Sequence, residues 1–197
     1  MDIKNWKQSP KIQEAKEKLE DEKVRGFMRW VFEIVVTLVL AAMVGIMLFQ
    51  TVTMQESSME PTIAVGDRFF INRVVYKFSS PKRGDLIVFR TNASDDAALH
   101  IRRVIGLPGE TVEIKDGKVY IDGSETALDD SFIPEKMQGS FGPYTVPDNC
   151  YFMLGDNRND SKDSRFWKNT FVRFDQIVGK AVVRYYPSIK LLGYEEP

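Results

Sequence analysis

Three short stretches concentrate the side chains that can do chemistry: "SSMEPT" from Ser57 to Thr62, "HIRRVIGLPGE" from His100 to Glu110, and "GDNRNDSKDSR" from Gly155 to Arg165. The first offers two hydroxyls beside a Met and a Pro. A serine hydroxyl is inert at its own pKa and becomes a nucleophile only when a neighbouring base takes its proton. The second stretch brings the single histidine, His100, and an imidazole is a good general base near neutral pH. The third is dense in Asp, Asn, Arg and Ser. Taken alone, "SSMEPT" also reads as a turn, with Pro61 fixing φ and the hydroxyls bonding locally. "GDNRNDSKDSR" also reads as a buried turn held by carboxylate–guanidinium forks.

Composition narrows the classes. The 197 residues carry 27 basic and 28 acidic side chains, a balance without the basic excess that collects nucleic-acid phosphates. One cysteine, Cys150, excludes an intramolecular disulfide and a cysteine-based metal cluster. One histidine argues against a zinc site of the usual kinds. No metal or cofactor is expected.

The elements that must position these stretches follow. Residues 30–49, "WVFEIVVTLVLAAMVGIMLF", hold a single charge, and about 20 apolar residues match a bilayer core. Glu33 sits four residues beyond Arg29 and pairs with it at the interface. The run is too long, and its polar prelude too extended, for a cleaved signal peptide. It reads as an uncleaved anchor. Lys4, Lys7, Lys11, Lys16, Lys18, Lys23, Arg25 and Arg29 precede it, and no Lys or Arg follows until Arg68. The positive-inside rule places residues 1–29 in the cytoplasm and 50–197 outside. Ser9-Pro10 is a helix start, opening a charged helix with a thin stripe of Ile12, Ala15 and Leu19.

Beyond the anchor, "RFFINRVVY", "DLIVFR", "HIRRVIGL", "TVEIK", "KVYID", "CYFML" and "IVGKAVVRYY" are β-branched and aromatic, bounded by Gly, Pro and Asp, and read as strands. Asp116-Gly117 predicts a two-residue type I′ hairpin. Residues from about 115 to 150 are rich in polar, Gly and Pro residues and read as a loop-rich insertion. The expected fold is mainly β: an antiparallel sheet domain preceded by one transmembrane helix.

In this order after a single span, the three stretches resemble bacterial type I signal peptidases, of the Gram-positive single-anchor type. The resemblance runs from Trp30 to Pro187 and includes "GDRFFINR", "RGDLIVF", "RVIGLPGE" and "DQIVGKAVVRYYP". It implies a membrane-bound serine endopeptidase that removes signal peptides from secreted preproteins after small residues. Its implied partners are preprotein signal peptides, the lipid bilayer and the secretion translocon. Residue by residue, it makes Ser58 the nucleophile and Ser161 the hydroxyl that orients the base. Met59 would pack over the pair. Asp156, Arg158, Asp163 and Arg165 would form ion pairs beneath the site, with Arg103 as their partner on a neighbouring strand.

The pattern breaks at two positions. Arg102 stands where the family's Tyr-Ile-Lys-Arg stretch has its lysine base, and a guanidinium, with a pKa above ~12, does not accept a proton in a protein. Lysine, by contrast, is kept neutral by burial. The resemblance therefore leaves a second reading, a relative that binds signal peptides without cutting them. His100, roughly 6.5–7 Å away along the strand and on the same face if alternation holds, is the alternative base. The second departure is Glu56, two residues before Ser58, where some relatives place an oxyanion-hole hydroxyl. A carboxylate there opposes a developing anion, so Glu56 is expected to face solvent.

Overall fold

The computed structural model describes residues 10–90 and 99–193; Lys4, Lys7 and the capping Ser9 lie outside them. Helix α1 (Pro10–Leu48) is continuous, so the charged segment and the apolar run form one element. Within it, Asp21–Met43 is long and apolar enough to cross a membrane. Phe27, Trp30, Phe32, Leu38 and Leu40 are exposed along it. The expected Arg29–Glu33 pair is present at 3.2 Å. One boundary is corrected: Phe49, read as the last residue of the span, opens a strand.

The remainder is mainly antiparallel β. Its strands are β1 (Phe49–Thr53), β2 (Arg68–Asn72), β3 (Leu86–Arg90), β4 (Leu99–Gly106), β5 (Thr111–Lys115), β6 (Lys118–Ile121), β7 (Phe141–Thr145), β8 (Cys150–Leu154), β9 (Val172–Arg173), β10 (Ile177–Tyr186) and β11 (Lys190–Leu191). The larger sheet runs β1-β2-β10-β3-β4-β8-β9, with β11 beside β10, and β6-β5-β7 form a second sheet.

β3 shows why the larger sheet holds together. Successive side chains of a strand point to opposite faces. Leu86 and Val88 join a cluster with Met59, Phe69, Ile71 and Ile101, while Ile87 and Phe89 join Val104, Tyr151 and Met153. Both faces of β3 are thus covered, which is why its apolar run is unbroken. A third cluster, around Ile105, Val112, Ile114, Phe152 and Leu154, joins the two sheets through β4, β5 and β8.

Two local readings meet different outcomes. Asp116 and Gly117 have φ of 48° and 75° and close the β5–β6 hairpin with Lys115 opposite Lys118, as a type I′ turn requires. The insertion after it is not strandless. Phe141–Thr145 pairs with β5 despite Gly142-Pro143 in its middle. Proline is tolerated there because β7 is an edge strand, whose outer side needs no amide donor. "RFFINRVVY" is also shorter than expected: Asn72 Oδ1 accepts from the amides of Val74 and Val75, turning the chain out of the sheet.

Candidate active site

Ser58 sits in a 3₁₀ turn, Ser57–Met59, just beyond β1. Two backbone bonds, Met54 N to Asp67 O at 2.8 Å and Gly66 N to Met54 O at 2.9 Å, close the loop that carries it. Met59 drops into the core with no exposed surface, and Ser58 is 4% exposed. The "GDNR" segment grips the turn from the other side. Asn157 N donates to Ser58 O at 3.1 Å and Asn157 Nδ2 to Ser57 O at 3.2 Å. The first and third stretches, a hundred residues apart, therefore meet at the serine.

β4 brings the second stretch. His100 and Arg102 converge on one carboxylate, as alternation along the strand requires, and that carboxylate is Glu56. His100 Nδ1 lies 3.1 Å from Glu56 Oε1. An Arg102 terminal nitrogen donates to Glu56 Oε2 at 3.2 Å, and Ser58 Oγ donates to the same oxygen at 3.3 Å. The expectation that Glu56 faces solvent is therefore corrected. Its side chain keeps 42% exposure but turns its charged end inward. The reason is Arg102, buried to 2%: a charge removed from water needs a counter-charge and acceptors. Carbonyls supply the rest, Ile101 O at 2.6 Å and Lys162 O at 2.8 Å.

These neighbours set the protonation states. The His100 hydrogen bond, helped by the Arg102 charge against the cost of burial, lowers the Glu56 carboxyl to about 2. Glu56 is therefore ionised at neutral pH and a poor proton acceptor for Ser58. Burial pushes the Arg102 guanidinium below its ordinary value, with Glu56 opposing. A guanidinium remains a cation under such a shift. The order Ser58–Glu56–His100 also places a carboxylate between the hydroxyl and the imidazole, which is not the arrangement of a serine activated directly by histidine.

Ser161 is buried, and among the described residues its Oγ is without a hydrogen-bond partner. It does not engage Arg102; the guanidinium passes to the carbonyl of Lys162 instead. Ser161 nonetheless lies close to the backbone of Ser58. A Cβ on Gly155 would collide with both the Ser161 side chain and the Ser58 carbonyl, so glycine there is a matter of space.

Beneath lie the charged residues of the third stretch. Arg103 grips Asp156 through two nitrogens, Nε at 2.8 Å, and Arg165 grips Asp163 at 2.8 Å through each of two nitrogens. Arg165 also donates to Arg158 O at 2.7 Å. Arg158 itself takes neither of those carboxylates. It holds Asp130, one contact at 2.8 Å, and so ties the loop after β6 to the site. Bidentate forks of this kind fix geometry as well as charge.

A groove of about 430 Å³ opens along β1 and the start of β4, lined in part by Thr51, Thr53, Gln55, Glu56, Leu99 and His100. A larger hollow of about 560 Å³ lies among residues 126–137. The groove reaches Glu56 and His100, and Glu56 in turn bonds Ser58. For Glu56 sequence reasoning missed the pairing with Arg102, and it missed Asp130 altogether. Their partners lie 46 and 28 positions away, and only opposite charges at 56 and 102 hinted at the first pairing.

The chain matches the family described as signal peptidase, peptidase S26, over residues 27–186. It is 34% identical over 179 residues to signal peptidase I T of Bacillus subtilis (strain 168), covering 87% of this chain and 91% of that one. To signal peptidase I of Leptolyngbya laminosa it is 43% identical over 141 residues, 68% of this chain and 67% of that one. To the probable signal peptidase I-2 of Synechocystis it is 42% identical over 135 residues, 66% of this chain and 60% of the relative's length. A solved signal peptidase I from Enterococcus faecalis V583 aligns at 32% identity and a TM-score of 0.44, over 52% of this chain and 97% of that one. The chain belongs to the signal peptidase, peptidase S26, family.

Proposed function

We propose that the chain is a membrane-anchored serine endopeptidase scaffold for secretory preproteins, with Ser58 as its nucleophile. The signal peptide lies extended beside β1, so that alternate side chains enter the groove and only small residues fit next to Ser58. Attack by Ser58 Oγ on the scissile carbonyl forms an acyl-enzyme ester as the C–N bond breaks, the hydroxyl proton ends on the leaving amine, and water hydrolyses the ester to the free acid and Ser58. The Ser58 backbone N–H serves as oxyanion donor, a contact worth ~3 kcal/mol in comparable sites. The helix α1 anchors the chain with its N-terminus in the cytoplasm and the β domain outside, where substrates emerge from the secretion translocon.

The observation that carries this reading is the meeting of Ser58 and the position-102 cation on one carboxylate, Glu56, at the edge of the groove, with the "GDNR" segment bonded to the Ser58 turn. The same observation favours a second reading for this exact chain. Arg102 supplies a charge where the reaction needs a base, so the chain binds signal peptides and cleaves them very slowly. Binding tests what both readings share. A signal-peptide analogue with Ala next to the scissile bond should bind, and Ala→Phe at that position should weaken binding at least tenfold. Equal affinity for the two peptides would remove the signal-peptide assignment.

A further inference from the structure

The two departures from the family pattern, Glu56 and Arg102, are in contact. Glu56 Oε2 accepts from both the Arg102 guanidinium and the Ser58 hydroxyl, and Oε1 faces His100. The other groups around position 102 can be named. Lys162 and Ile101 present carbonyls. Ser161 presents a hydroxyl with no hydrogen-bond partner. Asp163 adds a negative charge nearby, but both its oxygens are held by Arg165. Glu56 is thus the carboxylate that bonds directly to the cation at 102.

We propose that Glu56 is a positioning residue that locks the site. It keeps any cation at position 102 charged near neutral pH and holds the Ser58 hydroxyl as a donor, so base function near neutral pH requires removal of its charge as well as replacement of Arg102. The argument is electrostatic. An amine at 102 would be surrounded by low-dielectric core, which favours its neutral form, but an adjacent carboxylate favours the ammonium. An opposite charge within about 4–6 Å is typically worth 1–3 pKa units, enough to cancel much of what burial supplies. Near neutral pH, lysine at 102 would then pair with Glu56 rather than accept the Ser58 proton. This assignment rests on the peptidase reading for the role of position 102, but its electrostatic core does not.

The test uses the full chain in detergent, with lysines labelled by ¹³C at Cε. Arg102→Lys adds one lysine resonance to the spectrum, and its titration is compared with that in the Glu56→Gln, Arg102→Lys double variant. The added resonance should titrate at least about one unit higher with Glu56 present. Preprotein cleavage near neutral pH should be roughly tenfold or more faster in the double variant, following the larger fraction of neutral amine. Midpoints within about 0.3 unit of each other would overturn the proposal. Separated midpoints with no cleavage by either variant would leave the lock standing and remove the peptidase reading. Should Gln disturb the loop, Glu56→Ala is read in the same way.

Discussion

Asp156→Asn should destabilise the β domain far more than the loss of one carboxylate at the surface. Asp156 has no side-chain exposure and Arg103 only 4%. Arg103 reaches Asp156 through two nitrogens, and its third contact is Gly84 O at 2.9 Å. Its guanidinium also lies 4.5 Å from the Phe132 ring centroid. Removing the charge leaves the Arg103 cation in the core held by neutral acceptors, the Asn oxygen and the Gly84 carbonyl, with the second Arg103 nitrogen facing an NH₂ donor. Breaking one side of a buried pair costs about 3–5 kcal/mol, and for a domain of this size each kcal/mol moves Tm by roughly 2–4 °C. The expected fall is therefore roughly 6–20 °C. Arg173–Asp175, with side chains 67% and 64% exposed, is the internal control. Asp175→Asn should stay within about 0.5 kcal/mol, or about 2 °C. Near-UV circular dichroism melts of the detergent-solubilised chain measure both. Equal shifts for the two variants would refute the claim that the buried forks organise the ground beneath the site.

Two further outcomes follow from the site and the anchor. Because the folded-state pKa of Glu56 is depressed from 4.5 to about 2, its contribution to stability is present above ~4.5 and is lost as pH falls toward 2. The Tm gap between the unmodified chain and Glu56→Gln should be widest near neutral pH and shrink below pH ~4; a gap independent of pH would contradict this, although exposure of the carboxylate keeps the gap small. For orientation, protease added to intact spheroplasts should trim the β domain and spare an N-terminal tag. A lost tag with a protected C-terminus would reverse the assignment.

Legibility in the sequence followed the range of the interaction. The hairpin at Asp116-Gly117 was readable because two adjacent residues determine a type I′ turn. The central strands were readable because burial on both faces leaves a continuous apolar run, as in "LIVF" of β3. β7 was not, because its Pro143 is compatible with a strand only at an edge, and being an edge is a property of the sheet. The same holds for charge. The family resemblance marked Arg103, Asp156, Asp163 and Arg165 as ion-pair partners, but nothing near Arg158 pointed to Asp130. Glu56 was misjudged through an argument about the oxyanion alone. The buried Arg102, 46 residues on, outweighs that consideration in the resting site. The continuous helix from Pro10 to Leu48 likewise hides the change from charged to apolar composition, since helix geometry is indifferent to it.

The most direct measurement is cleavage of a preprotein by the detergent-solubilised chain, its Arg102→Lys variant, and that variant carrying Ser58→Ala, followed from pH 7 to about pH 10. If Ser58 is the nucleophile and Arg102 the reason the site lacks a base, Arg102→Lys should cleave 10²–10⁴-fold faster than the unmodified chain, the usual range for general base catalysis. The gain should emerge on the alkaline side, where the lysine loses its proton despite Glu56, and it should vanish with Ser58→Ala. Cleavage by the unmodified chain as fast as by Arg102→Lys, or survival of the gain without Ser58, would contradict the account.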